Sequence, residues 1–537
     1  MLKRLYPLPA VFCALIIAVF SAVQTAHAEK ITLKLINGAL IIKGDLLSFN
    51  GSFYVVKSTD FGMITVDAKK FVCTSQICPS GPVQKTVKPK RKRIISNDFA
   101  IHGSNTIGAQ LMPAIIEGYA KTIQAKTTRI VGSGPEEIKL VLSGEDGKKL
   151  VSIDLKSKGS GTSAPALASG TAQIGMSSRP IKTSEIQKLK EAGINGVKSS
   201  RGENIVALDG LIVLVSPSNP IHTLSMEQLA QIFSGQLTDW SQIGRPTPGP
   251  INVYARDSKS GTFDTFKSLV LKPYKVKISP KAKRFTSNAD LSDQTANDPD
   301  GIGFAGFAYK RNASLISITS KCGITKQPTL FNVKTEEYPL SRRLFLYTSS
   351  EVLTSQHAKK VLDYALSDAA QPIIPRLGFI NQSIHTLSFD KQGSRIAAAL
   401  NVTGDDFNLD LVRDFTKQFS RANRLSVTFR FKSGSAQLTN KSQSDILRFV
   451  KLLKTDAMKK KEVFLVGFSD DRGAFELNRE LAFKRALAIK FAILSASSGA
   501  VPSENLKLKS YGELFPVACN TDKKGQERNR RVEVWVR

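Results

Sequence analysis

Hydrophobic and polar positions divide this chain into stretches of different period. Over residues 30–78 they alternate in short runs, Thr32-Leu33-Lys34-Leu35, Tyr54-Val55-Val56 and Met63-Ile64-Thr65-Val66, separated by turn signals at Asn37-Gly38, Asn50-Gly51 and Phe61-Gly62. A period of two broken by such turns predicts a small antiparallel β module. From residue 99 to about 381, strand-like runs such as Phe99-Ala100-Ile101 and Ile251-Asn252-Val253-Tyr254 alternate with helix-like ones, the pattern of an α/β domain with largely parallel sheets. Between Asp405 and Ala422, Phe407, Leu411, Phe415 and Phe419 recur every four residues, which predicts a helix packed on one domain or bridging two. Near the end, the run Val463-Phe464-Leu465-Val466 reads as a strand and Glu476 to Leu494 as a helix, so the last part is expected to be α+β. The expected fold class is multidomain and mainly α/β.

The amino terminus sets the compartment. Met1-Leu2-Lys3-Arg4 is basic, Val11 to Val23 is almost wholly apolar and Ala26-His27-Ala28 is a small-x-small site, so residues 1–28 are expected to be a secretory leader cut before Glu29. Cys13 lies inside the apolar run without the small-residue context of a lipid anchor. No later run reaches the ~18 apolar residues that a membrane span requires, so the mature chain is expected to have no transmembrane segment. Four cysteines follow the leader. Cys73 and Cys78, five positions apart in an exported chain, are expected to form a local disulfide, and with no His nearby they do not read as a zinc site. Cys322 and Cys519 fall in different domains and either stay free or pair if those domains touch.

The chain has 76 Lys and Arg against 45 Asp and Glu, a net charge of +31. Such a balance suits nucleic acid, an anionic envelope polymer or an anionic ligand. Nucleic acid is disfavoured, because no basic stripe is interleaved with aromatics. The dense run from Lys85 to Arg93 sits among Pro and Val and reads as a solvated tether within a basic linker over 79–97.

Chemistry concentrates in two places. In the first, three short turns resemble one another: Gly103-Ser104-Asn105-Thr106, Gly159-Ser160-Gly161-Thr162-Ser163 and Ser260-Gly261-Thr262-Phe263. Each follows a strand-like run and opens a helix-like one, which aims backbone N–H groups, a helix dipole and hydroxyls at one point. One such turn is an ordinary cap; three in one domain, with Arg256 four residues before Ser260, could converge on a tetrahedral oxyanion. In the second, Phe468-Ser469-Asp470-Asp471-Arg472-Gly473 is followed by Asn478, by Lys484-Arg485-Ala486 and by Asn529-Arg530-Arg531-Val532-Glu533-Val534. Arg485 lies one helical turn from both Leu481 and Ile489, an unusual place for a charge unless something meets it.

The second group resembles the OmpA-like peptidoglycan-binding domain over roughly residues 424–537. The resemblance implies that Asp470 holds the ammonium and Arg485 the carboxylate of a diaminopimelate side chain, with Asn478, Asn529 and Arg530 around them; Asn529 and Arg530 either support the loop or touch the ligand. Ser469 stands where Thr is usual and Ala482 where Ser is common. The first group, with Ala172-Gln173-Ile174-Gly175-Met176-Ser177-Ser178-Arg179-Pro180 and Asp300-Gly301-Ile302-Gly303-Phe304, resembles the periplasmic phosphate-binding protein of phosphate ABC transporters over residues 98–381. What this implies is a two-lobed clamshell closing on phosphate. Matched position by position, the ligand residues are Thr106 and Ile107, Ser160 and Thr162, Ser177 and Ser178, then Arg256, Ser260, Gly261 and Thr262, with Arg256 supplying the main charge and Asp257 either orienting it or standing as an independent surface charge. Many relatives carry Asp at the position of Ser178, so the element that repels sulfate is missing here.

These readings order the chain as leader 1–28, β module 29–78, linker 79–97, clamshell 98–381, linker with a helix 382–423 and OmpA-like domain 424–537. The implied function is capture of inorganic phosphate in the periplasm of a Gram-negative envelope. The protein is held non-covalently on peptidoglycan near the outer membrane, for delivery to an ABC transporter permease or for sensing. The alternative is a structural envelope protein whose clamshell is an interaction surface. A phosphatase is disfavoured, because the anion loops hold no paired His, no metal cluster and no nucleophile beside a base; no catalytic residue, metal or cofactor is expected.

Overall fold

The computed structural model describes residues 29–36, 41–49, 53–58, 62–75, 78, 97–134, 136–258, 260–400, 408–431 and 438–537. The leader, the turn residues Asn37-Gly38, Asn50-Gly51 and Phe61, the basic run of the linker and Phe407 lie outside them.

The alternating amino-terminal stretch forms a five-stranded sheet in the order Gly62–Asp67, Phe53–Ser58, Ile41–Phe49, Glu29–Leu35, Phe71–Cys73. Ile31, Leu33 and Leu35 are buried while Lys30 and Lys34 face out, as a period of two demands. Cys73 and Cys78 are joined in a disulfide.

Residues 97–380 form two lobes on one long sheet. In the first, Phe99–Gly103 lies between Ile174–Ser177 and Lys149–Lys156, parallel to both. In the second, Asn252–Arg256 runs parallel to Lys283–Phe285 and Gly301–Gly306. The sheet is mixed rather than largely parallel. Tight turns join Lys126–Val131, Glu137–Ser143 and Lys149–Lys156 into antiparallel neighbours. The strand Glu203–Val215 also returns antiparallel to Ser341–Tyr347 and then to Gly301–Gly306. That strand passes through both lobes and is buried from Ile205 to Val215, which explains its near-continuous apolar sequence.

The carboxy-terminal sheet has the order Thr386–Ser388, Asn423–Arg430, Arg531–Val536, Val463–Phe468, Leu506–Ser510. The described residues of 382–423, expected as a linker with a helix packed on one domain or bridging both, belong mainly to this domain: Thr386–Ser388 adds an edge strand. Helices Gly393–Leu400 and Leu409–Phe419 pack Ala399, Val412, Phe415 and Phe419 against Phe464, Val466 and Trp535. The opposite face takes helices Asn440–Leu453 and Phe475–Ser497 through Ile446, Phe449, Ile489 and Ile493. Val463–Phe468 is therefore buried on both faces.

This domain is docked on the clamshell through buried charges. Arg424 meets Glu337 of the clamshell and Glu533 of its own sheet, and Arg395 and Arg531 also hold Glu533, at 2.9 and 2.7 Å. Arg430 pairs with Glu336 at 3.0 Å, beside Arg343, and Lys326 meets Glu337 at 2.8 Å. Cys322 and Cys519, left open by the sequence, are bonded to each other across the same boundary. Burial pushes the Glu533 carboxyl up, yet Arg395, Arg424 and Arg531 hold it at about 2. Glu337 is likewise held well below its ordinary value by Arg424 and Lys326 against the effect of burial.

Two predictions follow from this docking. Glu337→Ala leaves Arg424 and Lys326 buried and under-paired, so urea unfolding should show a loss of about 3–5 kcal/mol, and an unchanged midpoint would contradict the pairing. The depressed carboxyls stabilise the fold fully above their ordinary value of 4.5 and progressively less as the pH falls toward 2. The urea midpoint of the native protein should therefore drop over that window, and less steeply in Glu337→Ala.

Candidate anion and cell-wall sites

Because the three first-lobe strands are parallel neighbours, their carboxyl ends open on one edge, the usual place for a ligand in such sheets. Phe99–Gly103 ends at Gly103, whose φ is +143° and where a Cβ would sit 2.0 Å from the Met176 carbonyl oxygen; only glycine fits. Ser104, Asn105 and Thr106 then lead into a helix whose first turn, Ile107–Leu111, is a π-turn. After Lys149–Lys156, Gly159 turns at φ +102° into the short helix Ser160–Thr162. After Ile174–Ser177, the Ser178 N–H donates to Ser160 Oγ at 3.0 Å and the two hydroxyls lie 3.1 Å apart. From the second lobe, Ser260 caps the helix Gly261–Phe266 by accepting from the N–H groups of Thr262 and Phe263. The lobes meet here: a Cβ on Gly261 would fall 2.3 Å from Thr106 Oγ1.

These turns enclose a cavity of about 490 Å³, lined by Thr106, Ser160, Ser178, Ser260 and Gly261 among others. The remaining expected residues lie around it rather than on it. Ile107 is buried in the first-lobe core. The Thr162 hydroxyl donates to the Gly159 carbonyl and the Ser177 hydroxyl to the Arg179 carbonyl. The Thr262 N–H is engaged by Ser260.

Arg256 differs most from expectation. Its guanidinium donates to the carbonyls of Phe285 and Thr286, at 3.2 and 2.8 Å, with Asp257 3.7 Å away, and it does not line the cavity. Two other guanidiniums do, that of Arg179 and that of Arg342, the latter on Ser341–Tyr347. Arg342 lies 3.0 Å from Asp209 and donates to Thr106 Oγ1 at 3.0 Å and to the Gly261 carbonyl at 3.2 Å. Burial pushes Arg342 down and Asp209 up, and each opposes that effect on the other. Lys158, Arg179, Lys182 and Lys272 also line the cavity, against the carboxylates Glu136 and Asp264. Arg179 is forked onto Glu185 at 2.9 and 2.6 Å. The sequence signal for Arg342 was the single acid Asp209 inside the apolar run Ile205–Val215, since a buried carboxylate needs a cation.

In the carboxy-terminal domain, Val463–Phe468 delivers Asp470, 7% exposed, into the loop before helix Phe475–Ser497. Asp470 Oδ2 receives Arg530 Nη1 at 2.5 Å. Arg485 comes from the helix and lies over the Phe431 ring at 5.9 Å, and its Nη1 is buried with no hydrogen-bond partner among the described residues. Burial, together with repulsion from Arg530 and against attraction from Asp470, pulls Arg485 down to about 10. Asn478 donates to Glu513 at 2.6 Å and to the Gly473 carbonyl at 3.3 Å. Asn529 is fully buried, accepting from the Val517 and Ala518 N–H groups and donating to Ala518 and Asn520. Of the two residues left open by the sequence, Asn529 supports the loop and Arg530 faces Asp470. The site thus combines a carboxylate already met by Arg530 with the Arg485 guanidinium, one of whose donors is unmet among the described residues.

Among the described residues no group of His, Cys, Asp and Glu could hold a metal ion, and no helix is long and apolar enough to cross a membrane.

Known proteins match both regions. Residues 119–369 match the model of a PBP superfamily domain and residues 430–530 that of the OmpA family. Protein SphX of Synechococcus elongatus is 28% identical over 244 residues, 43% of this chain and 69% of the relative. The phosphate-binding protein PstS of Pseudomonas aeruginosa is 28% identical over 300 residues, 52% of this chain and 90% of the relative. An ABC-type phosphate transport receptor from Vibrio cholerae aligns with 52% of this chain and 99% of its own, at 24% identity and a TM-score of 0.40. The chain thus joins a domain of the PBP superfamily to a domain of the OmpA family.

Proposed function

We propose that this protein is an exported receptor for a tetrahedral oxyanion, inorganic phosphate first, that is held on peptidoglycan by its carboxy-terminal domain and takes no part in catalysis. The observation that carries the reading is the cavity between the lobes, where Arg342 and the hydroxyls of Thr106, Ser160, Ser178 and Ser260 converge. Its cations outnumber its carboxylates, which favours an anion. The relatives named for phosphate support that choice of anion. On this reading Arg342 supplies the charge-assisted hydrogen bonds, and Arg256 holds the second-lobe loop through Phe285 and Thr286. With Ser178 in place of a carboxylate, sulfate is admitted more readily than by a site that repels it. Delivery to an ABC transporter permease and a sensing role are both compatible with such a receptor. In the carboxy-terminal domain Asp470 would take the ammonium and Arg485 the carboxylate of diaminopimelate, with Arg530 beside them.

Calorimetry of phosphate, and separately sulfate, into the full mature chain tests the first half. Arg342→Gln, combined with Asp209→Asn so that no charge is left buried alone, should lose phosphate affinity at least about tenfold, the loss of one charge-assisted hydrogen bond or more. Arg256→Gln should lose far less. If native protein takes up neither anion at millimolar concentration, the clamshell is an interaction surface instead. The second half is read by sedimentation with purified diaminopimelate-type peptidoglycan: the native chain should pellet, and either Asp470→Ala or Arg485→Ala should stay in the supernatant. Pelleting of both folded variants would sink the assignment.

A further inference from the structure

The carboxy-terminal domain grips both lobes of the clamshell. On the second lobe, Cys322 between strands Ser314–Thr319 and Thr325–Lys326 is bonded to Cys519, and Arg424 reaches Glu337. On the first lobe, Asn440 at the start of helix Asn440–Leu453 donates to the carbonyls of Lys198 and Ser199, at 3.1 and 3.4 Å, and to Glu203 at 3.2 Å. Asn440 is 9% exposed. Lys451 adds a surface pair with Asp368 at 2.8 Å. Glu203 belongs to the first lobe because it pairs in register with Tyr347, which in turn pairs with Gly175. Between these attachments run the two strands on which the lobes would swing, Glu203–Val215 and Ser341–Tyr347.

A hinged clamshell opens by rotating one lobe against the other. A third body fixed to both blocks that rotation until one attachment breaks. The lobes are closed as they stand, since Gly261 leaves no room for a Cβ beside Thr106. We propose that the carboxy-terminal domain is a brace that keeps the clamshell shut, so that an anion enters or leaves only when the Asn440 attachment lets go. The attachments are unequal. The second-lobe side holds a disulfide and buried ion pairs, whereas the first-lobe side, apart from the chain's own crossing where Gln382 donates to the Ile205 carbonyl, is three hydrogen bonds from one Asn440 amide, one of them to the Glu203 carboxylate, and an exposed pair worth little. Opening therefore carries the brace away with the second lobe. This inference deepens the reading of the cavity as an oxyanion site and rests on it.

The test uses the full mature chain with the disulfides intact and compares native protein with Asn440→Ala/Lys451→Ala. Asn440→Asp is a second variant, which sets a carboxylate against two carbonyls and Glu203. Two rates are read: release of labelled inorganic phosphate into excess unlabelled phosphate, and hydrogen exchange of backbone amides in residues 104–108 and 260–263 without phosphate. Both should rise at least about tenfold in the variants, the scale of losing two hydrogen bonds to carbonyls and one to a carboxylate. Cys322→Ser/Cys519→Ser alone should change them much less, because Arg424 and Arg430 still hold that side. Rates within twofold of native in both Asn440 variants would overturn the brace. If native protein binds no phosphate but the cleft amides of the variants exchange faster, the brace stands and the phosphate reading falls.

Discussion

Everything beyond the amino-terminal sheet depends on the buried ion cluster in which Arg424 joins Glu337 of the clamshell to Glu533 of the carboxy-terminal sheet. A buried pair of this kind adds little net stability compared with apolar packing, but losing one partner is severe. What it provides is a fixed geometry, because Arg395, Arg424 and Arg531 all converge on one carboxylate. The aromatic rings around it hold the same cations: Arg531 lies 4.1 Å from the Phe468 ring centroid and Arg395 5.0 Å from it.

Both candidate sites are set by residues next to this cluster in sequence. Successive residues of a strand face opposite ways, so on Ser341–Tyr347 Arg342 faces the cavity while Arg343 pairs with Glu336. Around the start of Arg531–Val536, Arg530 meets Asp470 while Arg531 meets Glu533. Each adjacent arginine pair thus supplies one member to a candidate site and one to the buried ion cluster. A clamshell and an OmpA-family domain that share their buried charges form one body, not two domains on a tether.

The parts legible in the sequence were those written in local pattern. Alternation gave the first sheet, the strand-turn-helix motifs of Ser104, Ser160 and Ser260 marked three walls of one cavity, and the misplaced charge at Arg485 marked a guanidinium with a spare donor. What was hidden is long-range. Arg256 sits at the right spacing before Ser260, but its side chain finds the Phe285 and Thr286 carbonyls, which no local pattern reveals. Arg342 is 86 residues further on and was signalled only by its partner, Asp209, inside an apolar run. The segment 382–423 lacked a strong strand signal because Thr386–Ser388 is a short edge, so its role as a further layer of the carboxy-terminal domain appears only through Val412, Phe415 and Phe419. The link between Cys322 and Cys519 depends on domain docking, about which spacing says nothing.

A crystal structure of the full chain grown with phosphate tests the central claim most directly. The account predicts tetrahedral density within hydrogen-bond distance of the Arg342 guanidinium and the Ser160 and Ser260 hydroxyls, with Arg256 still on its two carbonyls and the carboxy-terminal domain seated on both lobes. An empty cavity at saturating phosphate, or an anion held by Arg256 while Arg342 stays bound only to Asp209, would contradict it.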